Sequence, residues 1–505
     1  MTVNSQKIGS LISAARKQRG LTQAEFADQL KTSQSAVNRI ESGGQNLSME
    51  MLARISEVLD KEIVSISQGQ INFQIEGGHE LKGEIETKVS KNASVALLCA
   101  SLLNKGTTVL ERVPRIEEVN RLIEVLTSMG VSVRWMDNND LEIKPPKRIK
   151  VEEMDVAAAK RTRSVLMFLG PLMHLFNEFN IPYAGGCNLG TRSVQPHLYA
   201  LEEFGVGVIA KRGRYETKVK KKSPGKVVLF EPGDTVTENA IMAAAKTPGI
   251  TTLKFVTANY MVQDLCFFLQ KLGVKIEGVG TTTLKIHGVS EINKRIKYAP
   301  AEDPIESMAF LAIAAVTNSS ITIKRCPIDF LDVELLRMKK MGFKFDISDE
   351  YKARNGKTTL VDIKTHKPTN IKALTEKITA LPYPGMNMDN LPFFVPIAAI
   401  AKGRTMIHDW SYENRAIYYT ELNTLDAQVE LLDPHRVYVN GPTKWRAAEV
   451  VCPPALRPAV IILIGMLGAK GKSVLRNVYS INRGYEDLAQ RLNSLGAKIT
   501  ILREL

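Results

Sequence analysis

Six times after residue 70 the chain repeats one local event: a helical stretch ends on a residue suited to left-handed backbone, and a short strand follows at once. The copies are LTSMGVSV at Gly130, LEEFGVGV at Gly205, LQKLGVKI at Gly273, MKKMGFKF at Gly342, LNTLDAQV at Asp426 and LNSLGAKI at Gly496. Each reads as a helix C-terminus closed by glycine or its polar substitute and followed by strand alternation. Successive separations of 75, 68, 69, 84 and 70 residues mark one supersecondary unit used six times.

Each unit also carries a second, more apolar helical stretch: ASVALLCASLLN, TRSVLMFLGPLMHLF, TENAIMAAAK, IESMAFLAIAAVT, NLPFFVPIAAIAK and LRPAVIILIGMLGAK. Four of these lead into a strand begun by glycine, as in GTTVLERV or GKSVLRNV. The pattern predicts units of two strands and two helices, with the amphipathic helix outside and the apolar one buried. Six such units predict two α/β domains of three units each, and domain interfaces are where ligands settle.

A chain of 505 residues is too long for one ordinary core, and 44% hydrophobic with 24% charged residues is a globular composition. MTVNSQKIGS has no apolar signal core, and the longest apolar run, AVIILIGML at 459–467, is too short to span a bilayer. The expectation is a cytoplasmic protein without a membrane segment. Five scattered cysteines (99, 187, 266, 326 and 452) with no CxxC pair predict neither disulfide nor metal site. No cofactor is expected.

The formal charge of +14 is unevenly spread, since residues 1–66 hold eight basic and seven acidic side chains and so contribute only +1. The surplus lies in the larger part, where anionic small substrates account for it as well as nucleic acid does. The run KVKKKSPGK at 218–226 is expected to be a solvated hairpin tip.

Residues 1–68 read as a small all-helical domain. Thr22 and Ser33 are the expected N-caps of LTQAEFADQL and SQSAVNRIESG, two short helices joined by a tight turn. The pattern LTQAEFA with SQSAVNRIE resembles the phage-repressor-like helix-turn-helix family. That resemblance implies double-stranded DNA as a partner, with Gln34, Ser35, Asn38 and Arg39 toward base edges and Gln23 and Ser33 near phosphates. The segment EIVSISQGQINF is expected to be a modest linker, and a homodimer is one assembly the sequence allows.

The segment IPYAGGCNLGTRSV at 181–194 sets Cys187 among glycines, with Arg192 five residues on. A thiol near a cation has a lowered pKa, and Gly185, Gly186 and Gly190 predict an exposed loop rather than a buried cysteine. Taken with Lys91–Asn92, Arg163 in RTRSVLMFLGPL, YENR ending at Arg415 and NRGYE holding Arg483, AGGCNLGTR resembles the enolpyruvyl transferase family, nearest the UDP-N-acetylglucosamine 1-carboxyvinyltransferases. The resemblance spans about residues 71–505. It implies two inside-out α/β domains of three repeats each, here 69–90 with 302–505, and 91–301.

It further implies addition and elimination between phosphoenolpyruvate and the 3-hydroxyl of UDP-N-acetylglucosamine, the first committed step of peptidoglycan synthesis. Such chemistry needs a proton donor to the vinyl carbon, a base for the hydroxyl and cations for the anionic donor. By the resemblance Cys187 is the donor, Asp389 in MNMDNLPFF is the base, and Lys91, Arg192, Arg457 and Arg483 hold phosphoenolpyruvate. Asn92 and Arg163 face the acceptor, Arg415 belongs to the substrate-binding set, and Asp303 in EDPIES fills a second acidic position. Departures cluster on the acceptor side: Gln195 stands for an aspartate, PGDTVTEN places Asp234 in a diphosphate-binding segment, NYM at 259–261 replaces EPE, and Ala455 replaces an aspartate. A different nucleotide or sugar acceptor, or an enzyme-like body that senses a metabolite, are the alternatives.

Overall fold

In the computed structural model the described residues are 9–10, 12–17, 19–44, 47, 49–59, 71–185, 193–220 and 222–503. Contacts divide the chain into two compact units that part between residues 70 and 71. The first is helical. Described residues of 9–17 are helical, and Gln23–Gln29, Gln34–Glu41 and Met49–Leu59 follow. Both expected caps form: Thr22 Oγ1 accepts from the Glu25 amide at 3.2 Å and Ser33 Oγ from the Ala36 amide at 3.2 Å. The core is Ile12, Phe26, Leu30, Val37, Ile40 and Ile55, the inward positions of four helices. Residues 62–70 of the expected linker lie outside the described residues, whereas its end enters strand Ile71–Gly77.

The second unit contains six sheets among its described residues. Three draw strands only from 71–86 and 320–503, and three only from 108–298. All six repeat positions are left-handed: Gly130 (φ 86°), Gly205 (77°), Gly273 (101°), Gly342 (108°), Asp426 (65°) and Gly496 (95°). The units hold more than the expected two strands: five of the six sheets have four or five strands and the sixth has three. A further strand (Leu141–Lys144, Arg214–Val219, Thr283–Gly288, Thr359–Thr365, Arg436–Gly441) returns antiparallel to the one after the capped residue. The first strand, Ile71–Gly77, pairs antiparallel with Gly471–Arg476, so the start of this unit completes the last sheet.

Apolar helices fill the interior. Pro304–Val316 buries every residue, and Leu456–Gly468 buries nearly all of its own. The expected helix after Arg163 is instead a tight 3₁₀ stretch, Arg163–Phe168, running into the single turn Leu169–Leu172. The basic run at 218–226 is not a hairpin tip. It leaves strand Arg214–Val219 of one sheet for Lys226–Val228 of another, and Lys222 folds inward to donate to the Met173 carbonyl at 3.2 Å. No described helix is long and apolar enough to cross a membrane.

Candidate active site

The site is built at helix N-termini. Lys91 opens Lys91–Ala100, and its N-cap Ser90 accepts from the Ala93 amide at 3.2 Å. Asp303 caps Pro304–Val316, accepting from the Ile305 amide at 2.9 Å, and Arg457 is the second residue of Leu456–Gly468. A cation at a helix N-terminus opposes the macrodipole, so Lys91 and Arg457 are favourable only beside carboxylates or a bound anion.

Asp389 meets part of that need. Its Oδ2 lies 3.4 Å from Arg457 Nη2 and its Oδ1 3.4 Å from Arg415 Nη1. Burial pushes this carboxyl pKa up, but the charges of Arg457, Arg415 and Lys91 outweigh it and hold the group below the ordinary carboxylate range. Its amide donates to Asn387 Oδ1 at 2.8 Å, while its carboxylate is used by arginines rather than as a helix cap. Arg457 also donates to Tyr485 Oη at 2.8 Å. Asp303, raised to about 6 by burial against the pull of Arg457, is the second acidic group here.

Arg415 supports this arrangement from below. It is 1% exposed, pairs bidentately with Asp409 at 2.6 and 2.9 Å, and donates to the Met388 carbonyl at 2.6 Å. Expected as a substrate contact, it is instead committed to protein partners and fixes the segment carrying Asp389. Lys91 is oriented by Glu118, a residue the sequence reading missed: the ion pair is 2.7 Å, and Glu118 also accepts from Ser164 Oγ at 3.0 Å. Burial opposes ionisation of Glu118, yet Lys91 and Arg483 lower it to about 2. Its pKa is depressed on folding, so its stabilisation is present above the unfolded value of about 4.3 and lost as pH falls toward about 2. Glu118→Gln is therefore expected to cost about 3 kcal/mol in urea unfolding at neutral pH, a deficit that shrinks in acid.

Asn92 donates to Tyr260 Oη at 3.2 Å, and Ser90 Oγ donates to the same oxygen at 3.3 Å. Arg163 donates to the Ser193 carbonyl at 2.8 Å, tying down the chain that leaves the glycine loop. Arg483, close enough to Glu118 to lower its pKa, forms no hydrogen bond to a described residue that would spend its charge. Cys187 and Arg192 lie outside the described residues. The other four cysteines are buried, with thiol pKa values raised by desolvation, to about 12 for Cys326 and Cys452. Next to Met388 lies a small pocket of about 50 Å³ lined by Asp234, Thr257, Asn259, Asn387, Phe330 and Trp410, among others.

In the helical unit Gln34, Ser35, Asn38 and Arg39 are exposed on one side of Gln34–Glu41, whose buried side is Ala36, Val37 and Ile40. Gln23 instead donates to Glu41 Oε2 at 2.9 Å, beside the buried Arg16–Glu41 ion pair. Ser33 is exposed but spends its hydroxyl on the cap and on Ser35 Oγ at 3.0 Å.

Residues 75–492 match the family described as EPSP synthase (3-phosphoshikimate 1-carboxyvinyltransferase). The chain belongs to the enolpyruvyl transferase family. A UDP-N-acetylglucosamine 1-carboxyvinyltransferase of Bradyrhizobium diazoefficiens is 33% identical over 432 residues, 85% of this chain and 97% of that protein. The one from Helicobacter pylori is 31% identical over 436 residues, 86% and 99% respectively. Among solved structures, the enolpyruvyl transferase NikO from Streptomyces tendae superposes with a TM-score of 0.75 at 22% identity, covering 86% of this chain and all of that one. EPSP synthase from Acinetobacter baumannii gives 0.67 at 16% identity over the same 86% and its full length. The enolpyruvyl transferase fold, expected from the repeat and the resemblance, is the fold of this body. Residues 12–66 match the family described as helix-turn-helix.

Proposed function

We propose that this enolpyruvyl transferase moves the enolpyruvyl group of phosphoenolpyruvate to a hydroxyl of an acceptor docked over Asp389. The observation that carries the reading is the ionised Asp389 set between Arg457 and Arg415. The acceptor hydroxyl gives its proton to Asp389 as its oxygen bonds to C2 of phosphoenolpyruvate, and the Cys187 thiol delivers a proton to C3. Elimination then returns a C3 proton to the Cys187 thiolate, forms the C2–C3 double bond, breaks the C2–O bond to the phosphate and releases inorganic phosphate. Lys91, Arg192, Arg457 and Arg483 neutralise the donor's carboxylate and phosphate. The site then lies between two lobes, 69–90 with 302–505, and 91–301.

The relatives' names make UDP-N-acetylglucosamine the reference acceptor, and with it a place in cell-wall synthesis. The test is phosphate release from phosphoenolpyruvate with UDP-N-acetylglucosamine and other hydroxylated acceptors, repeated with Cys187→Ala. Turnover that disappears in the variant supports the reading, and absence of turnover with every acceptor overturns it.

The exposed row Gln34, Ser35, Asn38 and Arg39 supports a second role, sequence-specific binding of double-stranded DNA by the helical unit. Arg39→Ala is expected to weaken binding to a selected palindromic site by about 1–3 kcal/mol, and raised salt is expected to weaken it further. Gel-shift titration checks both, and equal affinity for all sequences would reassign the unit to protein contacts.

A further inference from the structure

Helix Asp332–Met341 turns one face to the core, and that face holds Glu334, Leu335, Met338 and Met341. Glu334 is the anomaly in it. At the same place, eight residues before the left-handed residue that closes the helix, three of the other repeat units carry Leu122, Leu265 and Leu488, all buried. At 1% exposure Glu334 lies as deep as they do, and a buried carboxylate persists only where partners answer it.

Its partners stand on both sides of Asp389. Glu334 Oε1 accepts from the Asn387 amide at 3.1 Å and from Asn390 Nδ2 at 2.8 Å, so one oxygen holds the residue two before the aspartate and the residue after it. Asn387 passes the hold on, because its Oδ1 accepts from the Asp389 amide at 2.8 Å. Asn390 is fully buried, and its Oδ1 has no hydrogen-bond partner among the described residues. A buried amide kept half-satisfied costs free energy, so packing alone does not account for the Glu334–Asn390 pair.

The same helix grips the far end of this stretch, where Arg337, one turn on, donates to the Thr379 carbonyl at 3.1 Å. Residues 380–390 lie in no helix or strand, so side chains hold Asp389 where a backbone ladder would hold a strand residue. We propose that Glu334 is a positioning residue for the transfer: by holding Asn387 and Asn390 it fixes where the Asp389 carboxylate stands. The proposal rests on the transferase reading for the role of Asp389 as base. A base displaced by about 1 Å loses up to about 10²-fold in rate, whereas donor binding by other side chains is spared.

Glu334→Gln and Glu334→Asp in the full-length protein separate place from charge. Glutamine keeps an acceptor oxygen at the same reach without the charge, and aspartate keeps the charge but draws the acceptor back by one methylene. Glu334→Asp is expected to lower kcat for phosphate release by about 10–100-fold, with the KM for phosphoenolpyruvate changed less than about threefold. Glu334→Gln is expected to stay within about threefold of wild type in both. Asn390→Leu, which removes one anchor and leaves Glu334 in place, is expected to show the same split as the aspartate variant. The reverse order of the two Glu334 variants, or wild-type kcat in both Glu334→Asp and Asn390→Leu, overturns the proposal.

Hydrogen exchange followed by mass spectrometry on the same proteins supplies a readout that needs no turnover. Peptides covering 385–391 are expected to exchange at least about tenfold faster in Glu334→Asp than in wild type or Glu334→Gln, while peptides from Leu456–Gly468 are unchanged. Faster exchange throughout the chain would make Glu334 a general stabiliser and overturns the proposal. No phosphate release from wild type with any acceptor, alongside the expected exchange, condemns the transferase reading alone. Release with exchange and kcat unaltered in the variants condemns the Glu334 assignment alone.

Discussion

Asp389→Asn is expected to lower kcat for phosphate release by about 10²–10⁴-fold, the loss that follows removal of a positioned general base. Asparagine preserves the shape beside Arg457 and Arg415 but cannot take the hydroxyl proton. Phosphoenolpyruvate affinity is expected to change by less than about threefold, because Arg457 keeps Tyr485 and the other cations are untouched. Single-turnover measurements separate these effects. A variant that loses donor binding and retains turnover would make Asp389 a charge-balancing group instead of a base. The direction of its pKa adds a second check: a base held below the ordinary carboxylate range keeps the wild-type rate flat well into acid, so the acid limb lies below that of a solvent-exposed aspartate.

Much of this site was legible because its geometry depends on residue type at local positions. A helix end that needs left-handed backbone selects glycine, and Asp426 at φ 65° meets the same need with a short polar side chain. Counting those ends yielded the repeat, and the repeat placed the apolar helices whose first turns carry Lys91, Asp303 and Arg457. The strands beyond two per unit escaped because stretches such as LEIK are four residues of alternation, too short to distinguish from a loop. Glu118 and Tyr260 escaped for another reason. Their partners Lys91 and Asn92 are 27 and 168 residues away in sequence, and no periodicity connects them. Arg415 was expected among the substrate contacts; its pairing with Asp409 was not foreseen, since Asp409 gives no local sign that it will be fully buried.

That buried pair carries the largest stability effect expected in the chain. Arg415→Met removes the guanidinium from the Asp409 carboxylate, 0% exposed, and leaves it Tyr419 Oη at 2.5 Å as its donor among the described residues. Breaking a buried pair from one side costs about 3–5 kcal/mol, whereas removing both charges is far milder. Urea unfolding should therefore show a severe loss for Arg415→Met and a substantial recovery when Asp409→Asn is added. The double variant also separates support from chemistry. With its fold regained but the Arg415 contacts to Met388 and Asp389 still missing, it should keep donor affinity yet turn over slowly, because the base is ionised and poorly held. Full recovery of kcat together with stability would show that the pair only sustains the fold and that Arg457 alone suffices to position Asp389.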